Sequence, residues 1–173
     1  MVQQTLWTDR KFEFNFPVGI FPCIIERYRG TPARLEEITK PLSRDICIKR
    51  FNDAWSIQEH AGHLLDLEEL TGLRIADFVD RKEVLTAADI TNRKTTEANY
   101  NKGSIQDILQ KFRKVRTGFT DQLEQFDEEV VSRVALHPRL QTPMRLIDMV
   151  YFMCEHDDYH LARIRGLIRL SNV

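Results

Sequence analysis

The sequence predicts an all-α protein: a four-helix bundle with a long loop between its second and third helices. Three observations indicate this fold class. Four segments carry apolar residues at the helical period, little of the chain alternates like a strand, and helix start signals precede the segments. The chain has 173 residues, an ordinary size for one domain, and contains no internal repeat or low-complexity linker. We therefore expect a single domain over residues 1–173.

The first helix is predicted from Val18 to Lys40. Gly30 is followed by Thr31 and Pro32, which are typical of an N-cap and a first helical position, so the helix is expected to break and restart there. Pro41 ends the segment because proline cannot continue a helix.

The second helix has the strongest start signal. Ser56 and Glu59 have the spacing of a capping box, in which each side chain binds the other residue's backbone N–H. From there to about Val79, one face carries five apolar residues among its six members: Ile57, Ala61, Leu64, Glu68, Ile75 and Val79. An amphipathic helix is predicted.

The segment from Asp80 to Gly103 is polar and lacks a sustained period, which predicts a long loop. A loop of that length within a compact domain is unusual unless it has a function, such as covering a pocket. We interpret it as a candidate lid.

The third and fourth helices complete the predicted bundle. Ser104 begins the third helix as an N-cap, and apolar residues then recur three or four positions apart: Ile105, Ile108, Phe112, Val115, Phe119, Leu123 and Phe126. After a short apolar segment over 130–136, His137 and Pro138 form a predicted turn. Thr142 and Pro143 provide a second Thr-Pro start signal, for a helix that runs to about Leu170.

Composition excludes several classes of protein. Lys and Arg number 25 against 26 Asp and Glu, so there is no excess positive charge for binding nucleic acid. The apolar stretch over 16–25 contains Pro17 and Pro22 and is too short to span a bilayer, and the charged residues before it do not fit a secretory signal. We therefore expect a cytoplasmic protein without a membrane segment. The cysteines Cys23, Cys47 and Cys154 lack C-x-x-C spacing and are predicted to be reduced, with Cys154 in the core.

Two histidines interrupt the apolar face of the fourth helix. His156 and His160 share that face with Met149, Met153, Ile164 and Leu167. Residues four apart on a helix are neighbours, so both imidazoles can direct a nitrogen at one metal ion. Internal hydrogen bonds to other buried groups are the structural alternative. The sequence differs from H-E-x-x-H, which argues against a zinc protease.

A third ligand is expected from the second helix, which carries His60 and His63. Periodicity slightly favours His60, but His60 and Trp55 occupy the positions of a hydrophobic staple, which gives His60 a structural role. His63 is followed by Asp66, which is suited to orient a ligand imidazole by accepting its other N–H. We prefer His63. His137, before a proline, is interpreted as a turn residue and not a ligand, while a position near the mouth of a pocket stays open.

The chain resembles the DinB-like (DinB/YfiT-like) family of metal-dependent enzymes over nearly its whole length. The most specific matching segments are Trp55–Glu59 leading to His63–Asp66, and Glu155–His156 with His160. The resemblance implies a four-helix bundle and a metal-binding His triad, which corresponds to His63, His156 and His160 here. It also implies that a homodimer is a common state.

The resemblance leaves three functions open. Characterised members include transferases and isomerases that use low-molecular-weight thiols such as bacillithiol or mycothiol, and many others are described only as metal-dependent hydrolases. A thiol transferase acting on a small-molecule substrate is the first hypothesis. A hydrolase with Asp66 or Glu59 as base is the second, and a non-catalytic metal- or ligand-binding bundle is the third. Imidazole ligands suit several divalent ions, with zinc or nickel expected first and iron or manganese as further candidates.

Overall fold

The bundle is formed by long helices that follow the predicted order. The structure is a computed structural model that describes residues 2–171. Its helices are α1 (Phe21–Arg29), α2 (Thr31–Thr39), α3 (Arg44–Ile48), α4 (Ile57–Val79), α5 (Arg93–Glu97), α6 (Ile105–Leu123), α7 (Glu128–Val131) and α8 (Leu146–Leu170), and its strands are β1 (Val134–His137) and β2 (Thr142–Arg145). The four members of the bundle are α1 with α2, then α4, α6 and α8, which confirms the predicted fold class. No described helix is long and apolar enough to cross a membrane.

A polar layer divides the core of the bundle into two apolar halves. One half surrounds Ile75, Leu123 and Cys154, and the other surrounds Leu64 and Ile164. The buried Cys154 confirms the expectation that it belongs to the core. Between the halves, α6 contributes Arg116, which is 1% exposed, α4 contributes Glu68 and α8 contributes Asp157. A group of buried charged residues therefore interrupts the apolar faces of the bundle helices.

The buried Arg116 is paired on both sides. Its Nη2 lies 2.6 Å from Glu68 Oε1 and its Nη1 lies 2.7 Å from Asp157 Oδ2. Nη1 also donates to the backbone oxygen of Tyr28 at 2.9 Å. That oxygen is available because Pro32, four residues later, has no N–H to donate to it. The charges are thus compensated inside the bundle, as burial requires.

The break predicted at Gly30 is confirmed, since α1 ends at Arg29 and α2 begins at Thr31. The expected role of Thr31 as N-cap is wrong. Thr31 is the first residue of α2, and its hydroxyl donates to Asp157 Oδ2 at 2.8 Å. Thr31 Oγ1 also accepts from Arg34 Nη2 at 3.0 Å, so the hydroxyl links α2 to α8 instead of capping the helix.

The capping box of α4 is confirmed. Ser56 Oγ accepts the backbone N–H of Glu59 at 3.2 Å, and Glu59 Oε2 accepts the backbone N–H of Ser56 at 2.8 Å. Of the predicted apolar face, only Val79 is exposed, because it is the last residue of the helix. The cap fixes where α4 begins and so the positions of the histidines that follow.

The predicted 80–103 loop is partly helical. It contains α5 and a 3-10 turn, Tyr100–Lys102, and both pack against α4. The ring of Tyr100 lies over Gly62, where an added Cβ would be 2.3 Å from the ring. Gln58 also donates to the backbone oxygen of Tyr100 at 2.5 Å. The helical part of the segment packs against α4 in this structure.

The predicted helix start at Thr142 is wrong, because that residue begins β2. This strand pairs antiparallel with β1, with Leu136 opposite Pro143. Pro143 is tolerated because Leu136 directs its own backbone groups to the other side, where its N–H donates to Glu83 O at 2.8 Å and its oxygen accepts from Leu85 N at 3.0 Å. The fourth bundle helix therefore begins at Leu146.

An N-terminal strap, residues 2–17, lies along α8. Gln4 donates to the backbone oxygen of Tyr159 at 3.0 Å, and Arg10 forms an ion pair with Glu155 at 2.6 Å. The strap ends near Phe16, whose backbone oxygen accepts from Arg145 at 3.1 Å. These contacts carry Trp7 to the face of α8 that bears the histidines.

Candidate metal centre

Three histidines from two helices converge on one point. Each of His63 on α4 and His156 and His160 on α8 offers one ring nitrogen, and the three nitrogens lie within 4.8 Å of one another. Nε2 of His160 is 3.2 Å from Nε2 of His156. His63 and His160 are buried, whereas His156 is partly exposed. The structure thus brings together the three residues that the sequence nominates as ligands.

A hydrogen-bond relay determines the tautomer of His63. Its Nδ1 lies 3.1 Å from Thr95 Oγ1, and that hydroxyl donates to Asp66 Oδ2 at 2.8 Å. Because the single hydroxyl proton of Thr95 goes to the carboxylate, Nδ1 of His63 must be the donor to Oγ1. The lone pair of His63 is therefore on Nε2. Asp66 orients His63 through Thr95 and not by the direct contact that the sequence suggests.

His60 performs the corresponding role for His160. The two Nδ1 atoms are 2.9 Å apart, so one of these rings donates to the other. When His160 is the donor, its Nε2 is free to bind a metal. The predicted packing of Trp55 on His60 is present, with ring centroids 5.5 Å apart. His60 therefore has a polar role beside its structural one.

The buried imidazoles remain neutral near physiological pH. Burial lowers the pKa of His63 to about 3, with the neighbouring His156 adding to the effect. Burial also lowers the pKa of His156 to about 3 and that of His160 well below its ordinary value. Neutral imidazole is the form that binds metal ions.

The donor set fits a divalent transition metal. Two nitrogens bound at about 2.0–2.1 Å to one tetrahedral ion are roughly 3.3 Å apart, close to the 3.2 Å between the Nε2 atoms of His156 and His160. Three nitrogen ligands leave at least one position for water or substrate, as in catalytic rather than structural zinc sites. The residues present therefore suit an ion with an open coordination position.

The three histidines line a cavity of about 760 Å³. The walls near the histidines are aromatic: Trp55 packs on His63 with centroids 4.8 Å apart, and Trp7 meets His156 edge-on at 4.8 Å. The 80–103 segment contributes Ala87 to Ile90 to another wall. The cavity has the size and largely apolar lining of a small-molecule site.

The carboxylates nominated as bases are occupied by other contacts. Asp66 accepts from Thr95 and, through Oδ1, from the hydroxyl of Tyr100 at 2.7 Å, and its side chain is only 8% exposed. Glu59 caps α4 and is paired with Arg50. Neither residue is among those that line the cavity. The structure places both carboxylates in supporting positions.

Sequence reasoning missed four residues that shape the site. Thr95 lies in the segment interpreted as a loop, and Trp7 lies in the strap, before the first predicted helix. His137, interpreted as a turn residue, ends β1, is 2% exposed and lines the cavity beside Arg74. The signal available for His137 and Arg74 was weak, because each is a single polar residue in an irregular or charged stretch.

Comparisons with known proteins identify the family and agree with the fold. The model of the DinB superfamily matches residues 27–164. Among solved structures, the chain is similar to YfiT from Bacillus subtilis, described as a probable metal-dependent hydrolase with an unusual four-helix bundle topology. The identity is 16%, the similarity covers 94% of each chain, and the TM-score is 0.81. A search of curated proteins finds no significant match.

Proposed function

The chain belongs to the DinB superfamily, and from that premise we propose that it is a divalent-metal enzyme that transfers a low-molecular-weight thiol to a small electrophile. The observation that carries this proposal is the convergence of three neutral imidazoles at the wall of an apolar cavity. A metal ion bound by His63, His156 and His160 would supply Lewis acidity, which lowers the pKa of a thiol or water bound to it. The choice of a thiol as the transferred group rests on the family resemblance.

The protein's own residues position and shield the reacting groups. Thr95 and His60 hold two of the imidazoles in fixed orientations through their Nδ1 atoms. Trp7 and Trp55 cover the histidines with aromatic surface, which limits access of water and provides a surface for a thiol's carbon skeleton or an electrophile. In the transfer itself, the thiol releases its proton to solvent, the thiolate sulfur forms a bond to carbon of the electrophile, and the leaving group departs with the electron pair of the bond that breaks.

Most of the carboxylates around the cavity are bound by other groups, which favours thiol transfer over hydrolysis. A hydrolase benefits from a general base within reach of the attacking water. Four carboxylates line the cavity. Arg116 binds Glu68 and Asp157, the backbone N–H groups of Thr91 and Arg93 donate to Asp89, and Asp53 is exposed to solvent. Since a thiol ionises far more readily than water, thiol transfer depends less on such a base.

Zinc or nickel is the proposed ion, with iron or manganese as further candidates, because three imidazoles bind several divalent ions. The first experiment measures metal content of untagged protein by elemental analysis, and thermal stability after adding Zn²⁺ or Ni²⁺. We expect up to one ion per chain and a higher melting temperature. Absence of both effects would overturn the proposal.

The second experiment follows conjugation of cysteine, glutathione, bacillithiol or mycothiol to 1-chloro-2,4-dinitrobenzene. We expect the metal-loaded protein to accelerate at least one of these reactions and His63→Ala to abolish the acceleration. Glu69→Ala is the matched control, since Glu69 is on the same helix and its side chain is 70% exposed. Equal rates for His63→Ala and the unaltered protein would contradict the proposal.

Hydrolysis is the second candidate function. Its specific support is the structural similarity to YfiT, whose description names a probable metal-dependent hydrolase. A panel of ester, amide and phosphoester substrates assayed with metal-loaded protein distinguishes the two functions. Turnover of such a substrate without a thiol, lost in His63→Ala, would favour hydrolysis.

A further inference from the structure

Arg74 is a buried arginine without an acidic partner. It is 4% exposed, and its Nε donates to the backbone oxygen of Thr86 at 3.0 Å. Within residues 2–171, no carboxylate oxygen lies within 4.0 Å of its guanidinium. Asp77, one turn away, is already bound by Lys82 and by the backbone N–H of Thr86. Buried arginines are normally paired, so this guanidinium is available to an anion.

His137 contributes a second unused donor. The backbone N–H of Leu140 donates to its Nδ1 at 3.2 Å, so the proton of the neutral ring is on Nε2. Nε2 is buried and has no hydrogen-bond partner among the described residues. An unsatisfied buried donor is costly unless something outside the protein accepts from it. Burial and the nearby Arg74 and Arg139 lower the pKa of His137 to about 4.

Arg74 and His137 line the same cavity as the His triad. Arg74 is eleven residues after His63 on α4, which at 100° per residue returns it to within about 20° of the same helix face. His137 packs on Phe152 with ring centroids 5.3 Å apart, and Cζ of the exposed Arg139 lies 6.0 Å from the centroid of the same Phe152 ring. The walls between this end and the triad include the apolar side chains of Leu70, Phe152 and Met153.

The geometry points to an anion subsite: we propose that Arg74 and His137 bind the carboxylate of a small organic-acid substrate. The guanidinium and the Nε2–H offer donors to the two oxygens of a carboxylate, and the apolar walls accept a carbon chain. The role of this subsite in recognising substrate rests on the proposed function. Binding at the subsite itself does not require a metal and is measured separately.

The test uses hexanoate and hexanamide as probes of metal-free protein, with affinities measured by calorimetry. Metal is removed because an ion at the triad would itself bind carboxylate. The two probes differ in charge but have the same carbon chain. We expect hexanoate to bind at least about tenfold more tightly than hexanamide, from its charge-assisted hydrogen bonds. Equal affinities would overturn the proposal.

Variants assign the binding to the two residues. Arg74→Gln and His137→Asn are each expected to weaken hexanoate binding by about tenfold. Asparagine keeps an acceptor for the N–H of Leu140 while removing the Nε2–H. Arg163→Gln is the matched control, because Arg163 lines the cavity near His60 and is exposed. If Arg163→Gln loses hexanoate binding while Arg74→Gln and His137→Asn retain it, the anion binds near Arg163 and the proposal is wrong.

Two further measurements keep the result decisive. Circular dichroism shows whether Arg74→Gln is folded. If Arg74→Gln is unfolded, hexanoate binding by His137→Asn alone tests the subsite. Hexanoate binding by metal-free His63→Ala is expected to match that of the unaltered protein. Retained binding together with absent metal-dependent activity would reject the proposed function and support the subsite, whereas loss of the hexanoate preference with activity intact would reject the subsite alone.

Discussion

Nδ1 of His60 lies 2.9 Å from Nδ1 of His160, so a histidine outside the candidate ligand set controls one within it. His60 is 6% exposed and packs against Trp55, which prevents its ring from turning away. A ligand imidazole whose second nitrogen is held in this way presents its first nitrogen in a fixed direction. The candidate metal centre therefore includes a fourth histidine, His60, beside the three candidate ligands.

Replacing His60 is expected to weaken metal binding without removing a ligand. His60→Phe keeps the aromatic contact with Trp55 but provides no partner for Nδ1 of His160. The expected loss of zinc affinity is about 10–100-fold, measured by competition with a chromophoric chelator. His60→Asn, which retains a polar atom near the position of Nδ1, is expected to lose less. Unchanged affinity in His60→Phe would show that this hydrogen bond does not matter.

The relay through Thr95 is tested by a pair of similar substitutions. Thr95→Val preserves shape but leaves both His63 Nδ1 and Asp66 Oδ2 without their partner. We expect it to lower the free energy of unfolding by about 1–3 kcal/mol and to weaken metal binding by about tenfold or more. Thr95→Ser keeps the hydroxyl and should lie close to the unaltered protein. Urea unfolding and chelator competition measure the two effects, and similar results for both variants would contradict the relay.

Two glycines in helices are expected to respond oppositely to alanine. A Cβ at Gly62 would lie 2.3 Å from the ring of Tyr100, whereas none of the described atoms outside its own helix lies within 4 Å of a Cβ at Gly118. Gly62→Ala should displace Tyr100 from Asp66 and increase amide hydrogen exchange in the 93–103 segment. Gly118→Ala should stabilise the protein by up to about 1 kcal/mol, because alanine favours the helix. Equal exchange in Gly62→Ala and the unaltered protein would contradict the close packing.

Metal-free protein is expected to lose stability as the pH falls below about 6.5. Burial lowers the pKa of His60, His63 and His156 to about 3 and that of His137 to about 4. Between these values and about 6.5, the unfolded chain binds protons that the folded chain does not, so unfolding becomes easier as the pH falls. Each such histidine contributes up to about 1.4 kcal/mol per pH unit.

Urea unfolding of chelator-treated protein between about pH 7.5 and 5 measures this dependence; the lower limit keeps most carboxylates ionised. His137→Asn removes one of the titrating groups and should reduce the slope by about one proton. A flat profile over this range would show that the histidines are protonated in the folded state. Above about pH 7, the same linkage predicts little dependence on these groups.

The candidate ligands could be predicted because their information is local. His156 and His160 are one turn apart in a long helix, and the cap at Ser56 fixes the register of His63 in another. How α4 and α8 pack against each other is a tertiary property, and it decides that His60 meets His160. Periodicity and the staple both identified His60 as notable, but neither could reveal the 2.9 Å contact.

The errors have physical causes that sequence patterns do not show. Thr142 and Pro143 have the signature of a helix start, yet they pair with β1 because Leu136 uses its own backbone groups elsewhere. Arg116 stands among exposed charged residues of α6, and only the meeting of Glu68 and Asp157 across the bundle explains its burial. In both cases partners from other elements, a strand for Thr142 and Pro143 and two helices for Arg116, outweigh the local preference.

Helix α4 carries His63 near its beginning and Arg74 near its end on one continuous helix. An α-helix advances about 1.5 Å per residue, so the backbones of these residues are separated by roughly 16 Å along its axis. This spacing is set by a rigid rod and does not depend on the conformation of any loop. If both proposed sites bind one substrate, the length of this helix segment sets the distance between the acid group and the reacting group that the substrate must have.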